Sequence, residues 1–508
     1  MPTLPLPNNP DLNSFRRQAR ALQRAVRAGD GAALARVAEQ HPDGVPAAAA
    51  TFRLSAAQLV VAREYGLRSW ARLRRYLDVV AEYGWDTAVG AAPATDPAGE
   101  FCRLACLTYT REDGPARWAQ ARQLLATRPE LTRDSIWAAT AAARPQDVRR
   151  LLAGRPELAR ERGGPRRWGP LCYLAYSRAH PDAPEGAVLS VARQLVDAGA
   201  DPNEGYLWDG QPYAFTALTG AFGGGELGEQ RQPRHPYGLA LARMLLAAGA
   251  DANDGQALYN RMFEPDNAHL ELLFEYGLGR GDGGPWRARA GELLPSPAEM
   301  LRIQLRWALE HDQPERVRLL VEHGVDFRSP FRTDGLAWAP GDGRTPVELA
   351  LLNGLPGIAD FLLSRGAIAP DLDPAGELIA AAFRADWSAV EEVRARHPDA
   401  LAEARRRRPG LVVWAAARAP SIVERLVALG FDVNALGRSD APVEQPWQSA
   451  LHHSAGEGDA GLTRRLLTLG ADPRLRDARF GATPLDWARH LNQQATIDIL
   501  EPLTPGAP

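Results

Sequence analysis

The chain contains no lysine: all 59 of its basic residues are arginine. Chemistry that depends on a lysine amine is therefore closed to it. Schiff-base catalysis needs that amine, and so does a P-loop of the G-x-x-x-x-G-K-[ST] type, which excludes pyridoxal enzymes, class I aldolases and Walker-type NTPases. The expected cause is a GC-rich codon preference of the bacterial kind, which would also favour Ala, Gly, Pro and Arg, all abundant here. Cysteine is nearly absent too. Three residues, Cys102, Cys106 and Cys172, in a chain of 508 make no disulfide framework and suit a reducing compartment. No uncharged apolar run reaches the roughly 18 residues that span a bilayer, so no membrane segment is expected. The opening Met1-Pro2-Thr3-Leu4-Pro5-Leu6-Pro7 lacks a basic region followed by an apolar one, so no secretory signal is expected and the cytoplasm is the expected location. G-x-S-x-G, H-E-x-x-H and a G-x-G-x-x-G in strand context are missing as well, and Cys102-x-x-x-Cys106 has no second pair to complete a zinc site. No metal, no cofactor and no catalytic residue is expected.

What is present is ordinary globular composition, 45% hydrophobic and 24% charged, in a length that suits about three domains or one long repeat array. Charge is unevenly spread. Residues 12–82 carry 12 Arg against 6 Asp and Glu, a net of +6, which leaves −9 for the remainder. Within this basic stretch Leu12, Phe15, Ala19, Leu22 and Val26 recur at helical spacing and Gly29-Asp30 ends the helix. A second helix stops before His41-Pro42, a third covers Ser55 to Tyr65, and Ser69 caps a fourth that runs to about Glu82. Gly84 to Gly99 is rich in small residues, Pro and Asp, and reads as a linker. The expected organisation is a flexible tail (1–11), a basic helical module (12–83), a linker (84–99), a repeat array (100–501) and a second flexible tail (502–508).

From residue 100 onward one phrase returns: an aliphatic pair, a turn with Gly, then Ala-Asp and an extended stretch. Copies are Leu195-Val196-Asp197-Ala198-Gly199-Ala200-Asp201-Pro202-Asn203, Leu245-Leu246-Ala247-Ala248-Gly249-Ala250-Asp251-Ala252-Asn253, Leu426-Val427 with Gly430-Phe431-Asp432-Val433-Asn434, and Leu466-Leu467 with Gly470-Ala471-Asp472-Pro473. Looser copies surround Gly277, Gly324 and Gly366. Gly at the position after a helix takes the left-handed conformation that ends it. The other half of the unit is a helix start, Thr345-Pro346-Val347-Glu348-Leu349-Ala350 and Thr483-Pro484-Leu485-Asp486-Trp487-Ala488, with Thr as N-cap and Pro at the first helical position. Together these phrases resemble the ankyrin repeat, over roughly residues 100–501. That resemblance implies an all-α, ankyrin-type solenoid of helix-turn-helix repeats with long finger loops. It also places His452, in Ser449-Ala450-Leu451-His452, at a structural position of the repeat. Residues 58–70 resemble an N-terminal module of bacterial ankyrin proteins, to which no activity attaches.

An ankyrin repeat is 33 residues long, whereas the turn glycines here lie 50 (199 to 249), 42 (324 to 366) and 40 (430 to 470) apart. The additional residues fall in loops on one face, often the binding face. Asn203 to Phe215, Phe327 to Gly343 and Asn434 to Gln448 are the long fingers, and they hold Tyr206, Trp208, Tyr213, Phe331, Arg332, Trp338 and Trp447. With Tyr259 and Arg261 these form the candidate partner-binding set, since exposed aromatic and Arg residues are the usual material of interaction hot spots. A further insertion, Gly223 to Gly238, reads as a mobile loop. The expected function is a non-enzymatic scaffold recognising a protein or peptide partner, by burial of finger aromatics and Arg pairing with carboxylates. Two alternatives stand beside it: a small-ligand or enzyme pocket among Asp209, Tyr259, Arg261, Asp334 and His235, and DNA binding by Arg68, Arg72, Arg74 and Arg75 of the basic module.

Overall fold

The computed structural model describes residues 4–90, 92–179, 183–332, 342–440 and 445–504. Helix dominates, and strand is confined to three short segments among the described residues. No described helix is long and apolar enough to cross a membrane. The described residues divide into two compact units, 4–304 and 305–504.

In the first unit the basic module folds as four helices, Leu12–Arg27, Gly31–Gln40, Leu54–Glu64 and Trp70–Tyr83. Three of the four starts are held by side chains that accept otherwise unpaired N–H groups: Asp11 from Asn13 at 2.7 Å, Asp30 from Ala33 at 2.7 Å and Ser69 from Arg72 at 3.3 Å. Phe15, Ala19, Leu22 and Val26 are buried, as their spacing requires. Their core also takes in Leu207, Ala214 and Trp286, so the module is not a domain of its own.

The stretch expected to be a linker explains why. Gly84–Trp85 forms strand β1, which runs parallel to β2 (Gly205–Trp208), and β2 pairs antiparallel with β3 (Ala214–Thr216) in the register Tyr206↔Phe215. Asp96 then caps a helix from Pro97 to Ala105. Composition alone misses this because Gly84 is small for a packing reason: a Cβ there would meet the Val80 carbonyl at 2.5 Å. Residues 4–11 likewise depart from the expected free tail. The Leu4 amide donates to the Glu64 carbonyl at 2.6 Å, that of Asn9 to the Asp209 carbonyl at 2.7 Å, and Leu6 is buried. At the other end, Glu501–Leu503 form a helical turn and Thr504 is buried, donating to the Leu500 carbonyl at 3.0 Å.

Beyond residue 96 the helices come in pairs. In the first unit Pro97–Ala105, Ile136–Ala141, Pro170–Tyr176, Ala217–Phe222 and Gly255–Met262 form one row, each packed on the next. Pro145–Gly154, Glu185–Asp197, Gly238–Ala247 and Ala268–Glu275 form a second row beside it. In the second unit Leu411–Arg418, Ala450–Gly456 and Pro484–His490 make such a row, and each packs on its own partner helix, Val423–Ala428, Ala460–Thr468 and Gln494–Leu500.

The turn glycines behave as the recurring phrase requires. Gly199, Gly249, Gly430 and Gly470 have φ of +91°, +102°, +85° and +92°. The residue after each donates back into the last helical turn, as from Ala200 to the Leu195 carbonyl at 2.9 Å and from Ala471 to that of Leu466 at 3.0 Å. The Asp that follows accepts the N–H two residues on, Asp201 from Asn203 at 2.9 Å and Asp432 from Asn434 at 2.8 Å. The Asn then reaches the following turn. Asn203 donates to the Gly249 carbonyl at 3.0 Å and accepts from the Asp251 amide at 2.8 Å; Asn253 does the same with Arg280 and Gly279, and Asn434 with Gly470 and Asp472. Where Arg328 stands in that place, its guanidinium donates to the Arg365 and Gly366 carbonyls instead. His452 is structural too: its ring is buried between the Ser449 hydroxyl at 2.8 Å and the Ala482 carbonyl at 3.0 Å.

Replacing Asn434 by Ala removes one donor and one acceptor from this ladder. It is expected to lower the unfolding free energy by about 1–2 kcal/mol in urea titration. Asn434→Asp should lose a similar amount, because a carboxylate cannot donate to the Gly470 carbonyl. Wild-type stability in both variants would show that the amide bridges are incidental.

Candidate functional site

The first finger is a hairpin whose reversal follows from its residues. Asp209 (φ +47°) and Gly210 (φ +69°) both take left-handed conformations, and the Gln211 amide closes the turn on the Trp208 carbonyl at 3.0 Å. Alternation along β2 then sends Tyr206 and Trp208 to the same face and Leu207 to the other. Leu207 joins the core of the basic module. Tyr206 is fully buried, stacked against Trp168 (centroids 4.3 Å apart, planes 15°) and Phe215 (5.5 Å, 22°), with Trp85 edge-on at 5.7 Å. Expected as an exposed contact residue, Tyr206 is instead the centre of an aromatic core, and burial pushes its phenol well above the ordinary range.

Trp208 and Tyr213 remain half-buried and reach a cleft of 560 Å³. Its walls bring together Tyr65, Tyr109, Trp208, Tyr213, Phe215 and Tyr259, with Leu4, Pro5 and Leu6 of the N-terminal segment along one side. Trp208 is oriented by its indole N–H, which donates to the Thr108 carbonyl at 3.0 Å. Tyr259 stands on the helix Gly255–Met262 and donates its hydroxyl to Glu226. Burial raises the Tyr109 phenol, and burial together with Glu226 raises that of Tyr259, so both rings present neutral hydroxyls. Among the described residues, Glu226 supplies the one carboxylate of the lining and no guanidinium lines it.

Glu226 sits on the insertion that was expected to be mobile. That loop is pinned. The Gly224 amide donates to the Gln232 carbonyl at 3.0 Å, and the buried Gln232 side chain accepts from the Leu227 amide at 2.8 Å. Three successive glycines allow the close approach: a Cβ on Gly223 would meet the Pro233 carbonyl oxygen at 2.4 Å, and one on Gly224 the Asn260 carbonyl oxygen at 2.7 Å.

The other expected residues are dispersed. Arg261 is buried and paired with Asp266 at 2.8 Å, and it lines a separate cavity of 380 Å³ with His235. Asp209 is buried and receives the Thr87 amide at 2.8 Å and hydroxyl at 3.0 Å, which removes it from any pocket chemistry. The pocket expected among Asp209, Tyr259, Arg261 and His235 is thus not one cavity. In the second unit Phe331 is buried, Arg332 is exposed, and Trp447 lies between the guanidiniums of Arg438 (4.6 Å) and Arg479 (5.0 Å). Trp338 and Asp334 lie outside the described residues. Tyr65, Tyr109 and Glu226 were not among the expected site residues. They come from the basic module, the turn after the helix Pro97–Ala105 and the Gly-rich insertion, and nothing in their local sequence links the three.

No protein-family model matches the chain, and no curated protein matches it.

Asp254 ties the hairpin to the helix that carries Tyr259. Its buried carboxylate accepts from the Ala257 amide at 2.9 Å and from the hydroxyls of Thr216 and Thr219, and burial raises its pKa to about 6 from 3.8. A carboxyl with a raised folded pKa stabilises fully at pH below its unfolded value, and that contribution is lost as pH rises to the folded value. The wild type should therefore lose stability relative to Asp254→Asn between pH 4 and about 6.5, by a difference on the order of 3 kcal/mol, and the gap should be flat above that range. Thermal melts of the two proteins at several pH values test this. A difference that does not change with pH would exclude the buried ionisation.

Proposed function

We propose that this protein is a non-enzymatic recognition protein, built as an ankyrin-like array of helix pairs, whose aromatic cleft takes an extended peptide. What supports the architecture is the recurring helix, Gly turn and Asp-x-Asn phrase, together with the stacking of helix pairs within each unit. The observation that carries the function is the lining of the 560 Å³ cleft, which among the described residues holds six aromatic rings, one carboxylate and no guanidinium. Aromatic rings bury apolar surface at low entropic cost and stack on proline and guanidinium groups, while Glu226 offers a charge partner to a basic side chain. The chain's own Leu4-Pro5-Leu6 already lies along this surface, so leucine and proline side chains suit its shape. The ligand that fits is a peptide with a basic residue flanked by proline or aliphatic residues. This turns the expected charge pairing around: the carboxylate is on the protein and the cation on the partner.

Selection from a random peptide library against the full chain tests the reading. Enriched sequences should carry Arg or Lys next to Pro or aliphatic residues, and Trp208→Ala should weaken their binding by about 2 kcal/mol, roughly thirtyfold. Trp447→Ala, in the other unit, should leave it unchanged. Selected peptides that bind the Trp208→Ala protein as tightly as the wild type would rule out the cleft.

A further inference from the structure

The first helix of the basic module, Leu12–Arg27, holds five arginines and no Asp or Glu in its 16 residues. At 3.6 residues per turn, Arg16, Arg17, Arg20, Arg24 and Arg27 fall within an arc of about 100°, on the side away from the buried Phe15, Ala19, Leu22 and Val26. All five are exposed. Two of them meet neutral acceptors: Arg16 donates to the Asn13 side chain at 3.3 Å and Arg27 to the Phe52 carbonyl at 3.0 Å. Arg17, Arg20 and Arg24 have no side-chain hydrogen bond and no ion pair among the described residues, whereas Arg36 on the next helix is paired with Glu64 at 2.6 Å. The carboxylates at the two ends of the helix, Asp11 and Asp30, are turned to backbone amides. Exposed Arg53 follows Phe52 and extends the positive surface at the C-terminal end. The face expected to meet DNA, with Arg68, Arg72, Arg74 and Arg75, is of another kind. Exposed Asp78 and Glu82 share the helix of the last three, and the Arg68 amide donates to the Glu292 carboxylate at 2.9 Å.

Like charges three and four residues apart on a helix repel, and no carboxylate of this helix relieves them. A row of guanidiniums without counter-charges is complementary to a row of anions. The apolar side of the helix is committed to the core, so no apolar face is left to enter a lipid layer. Its other exposed residues, Asn13 and Ala21, offer neither the apolar anchor of a protein interface nor an aromatic ring on which single-stranded bases stack. From Arg16 to Arg27 the row is about 16 Å long, the length of about five base pairs of duplex. We propose that this outward face docks on duplex DNA, its guanidiniums pairing with backbone phosphates and reading no base sequence. None of these arginines lines the aromatic cleft, so the DNA face stands or falls independently of peptide recognition.

Fluorescence anisotropy of a labelled duplex of about 20 base pairs, titrated with the full chain at several sodium chloride concentrations, tests the assignment. About four phosphate contacts give a slope of about −3.6 in log affinity against log salt, a loss of about 150-fold between 50 and 200 mM. Combining Arg17→Gln, Arg20→Gln and Arg24→Gln should weaken binding at least tenfold at about 50 mM salt and flatten the slope to between about −1 and −2. All three side chains are exposed, so the melting temperature should stay as in the wild type. Lysine at the same three positions keeps the charge and should keep both affinity and slope. Combined Arg72→Gln, Arg74→Gln and Arg75→Gln should bind as the wild type does. No salt-dependent binding, full affinity in the first triple variant, or a lysine variant as weak as the glutamine one would each overturn the proposal. So would tighter binding to phosphatidylserine vesicles, or to a single strand of the same length, than to the duplex.

Discussion

Three helix-ending turns in this chain each leave a carbonyl and an N–H that the helix cannot satisfy, and a single asparagine amide of the preceding turn meets both. Asn203, Asn253 and Asn434 each donate to one carbonyl and accept from one amide of the next turn, and an Asp two residues earlier fixes the backbone that carries them. The bridge ties one turn directly to the next although the bonded residues lie 46, 27 and 36 positions apart in sequence. Additional chain has to leave the stack as fingers and return, which is how repeats of 40 to 50 residues coexist with regular stacking.

The first of these fingers does not end in solvent. Strand β1 pairs with β2, and Trp85, Trp168, Tyr206 and Phe215 close over one another as a second core. Once Tyr206 and Leu207 are committed to opposite cores, Trp208 and Tyr213 are left at the edge, where Tyr109 and Tyr259 meet them. The same crowding of aromatic rings explains why guanidiniums stack so often here: Arg166 on two indoles, Arg289 on Tyr83 and Trp286, and Arg418 on Trp414. With arginine as the only strong cation, planar stacking is available at every positive site.

Much of the secondary structure was legible because local rules decide it. The four helices of the basic module, the left-handed turn glycines and the Thr and Ser caps all depend on residues within a turn of one another. The finger aromatics were legible as a group but not singly. That Tyr206 is buried depends on packing against Trp85, on a strand that pairs with β2 from more than 100 residues away, in a stretch whose small residues and prolines read as a linker. The pinned Gly-rich loop was misread for a similar reason: glycine signals freedom in isolation, but Gly223 and Gly224 are there because carbonyl oxygens approach within 3 Å of where a Cβ would stand.

The sequence alone established a lysine-free chain of Gly-capped helix pairs with long, aromatic insertions, since caps, periodicity and composition act over a few residues. Only the tertiary structure decided which aromatic rings are core and which line the cleft, that Glu226 rather than an arginine supplies its charge, and that Arg17, Arg20 and Arg24 meet no carboxylate among the described residues. Those outcomes depend on partners far apart in sequence, brought together by strand pairing and close packing, which no local pattern records.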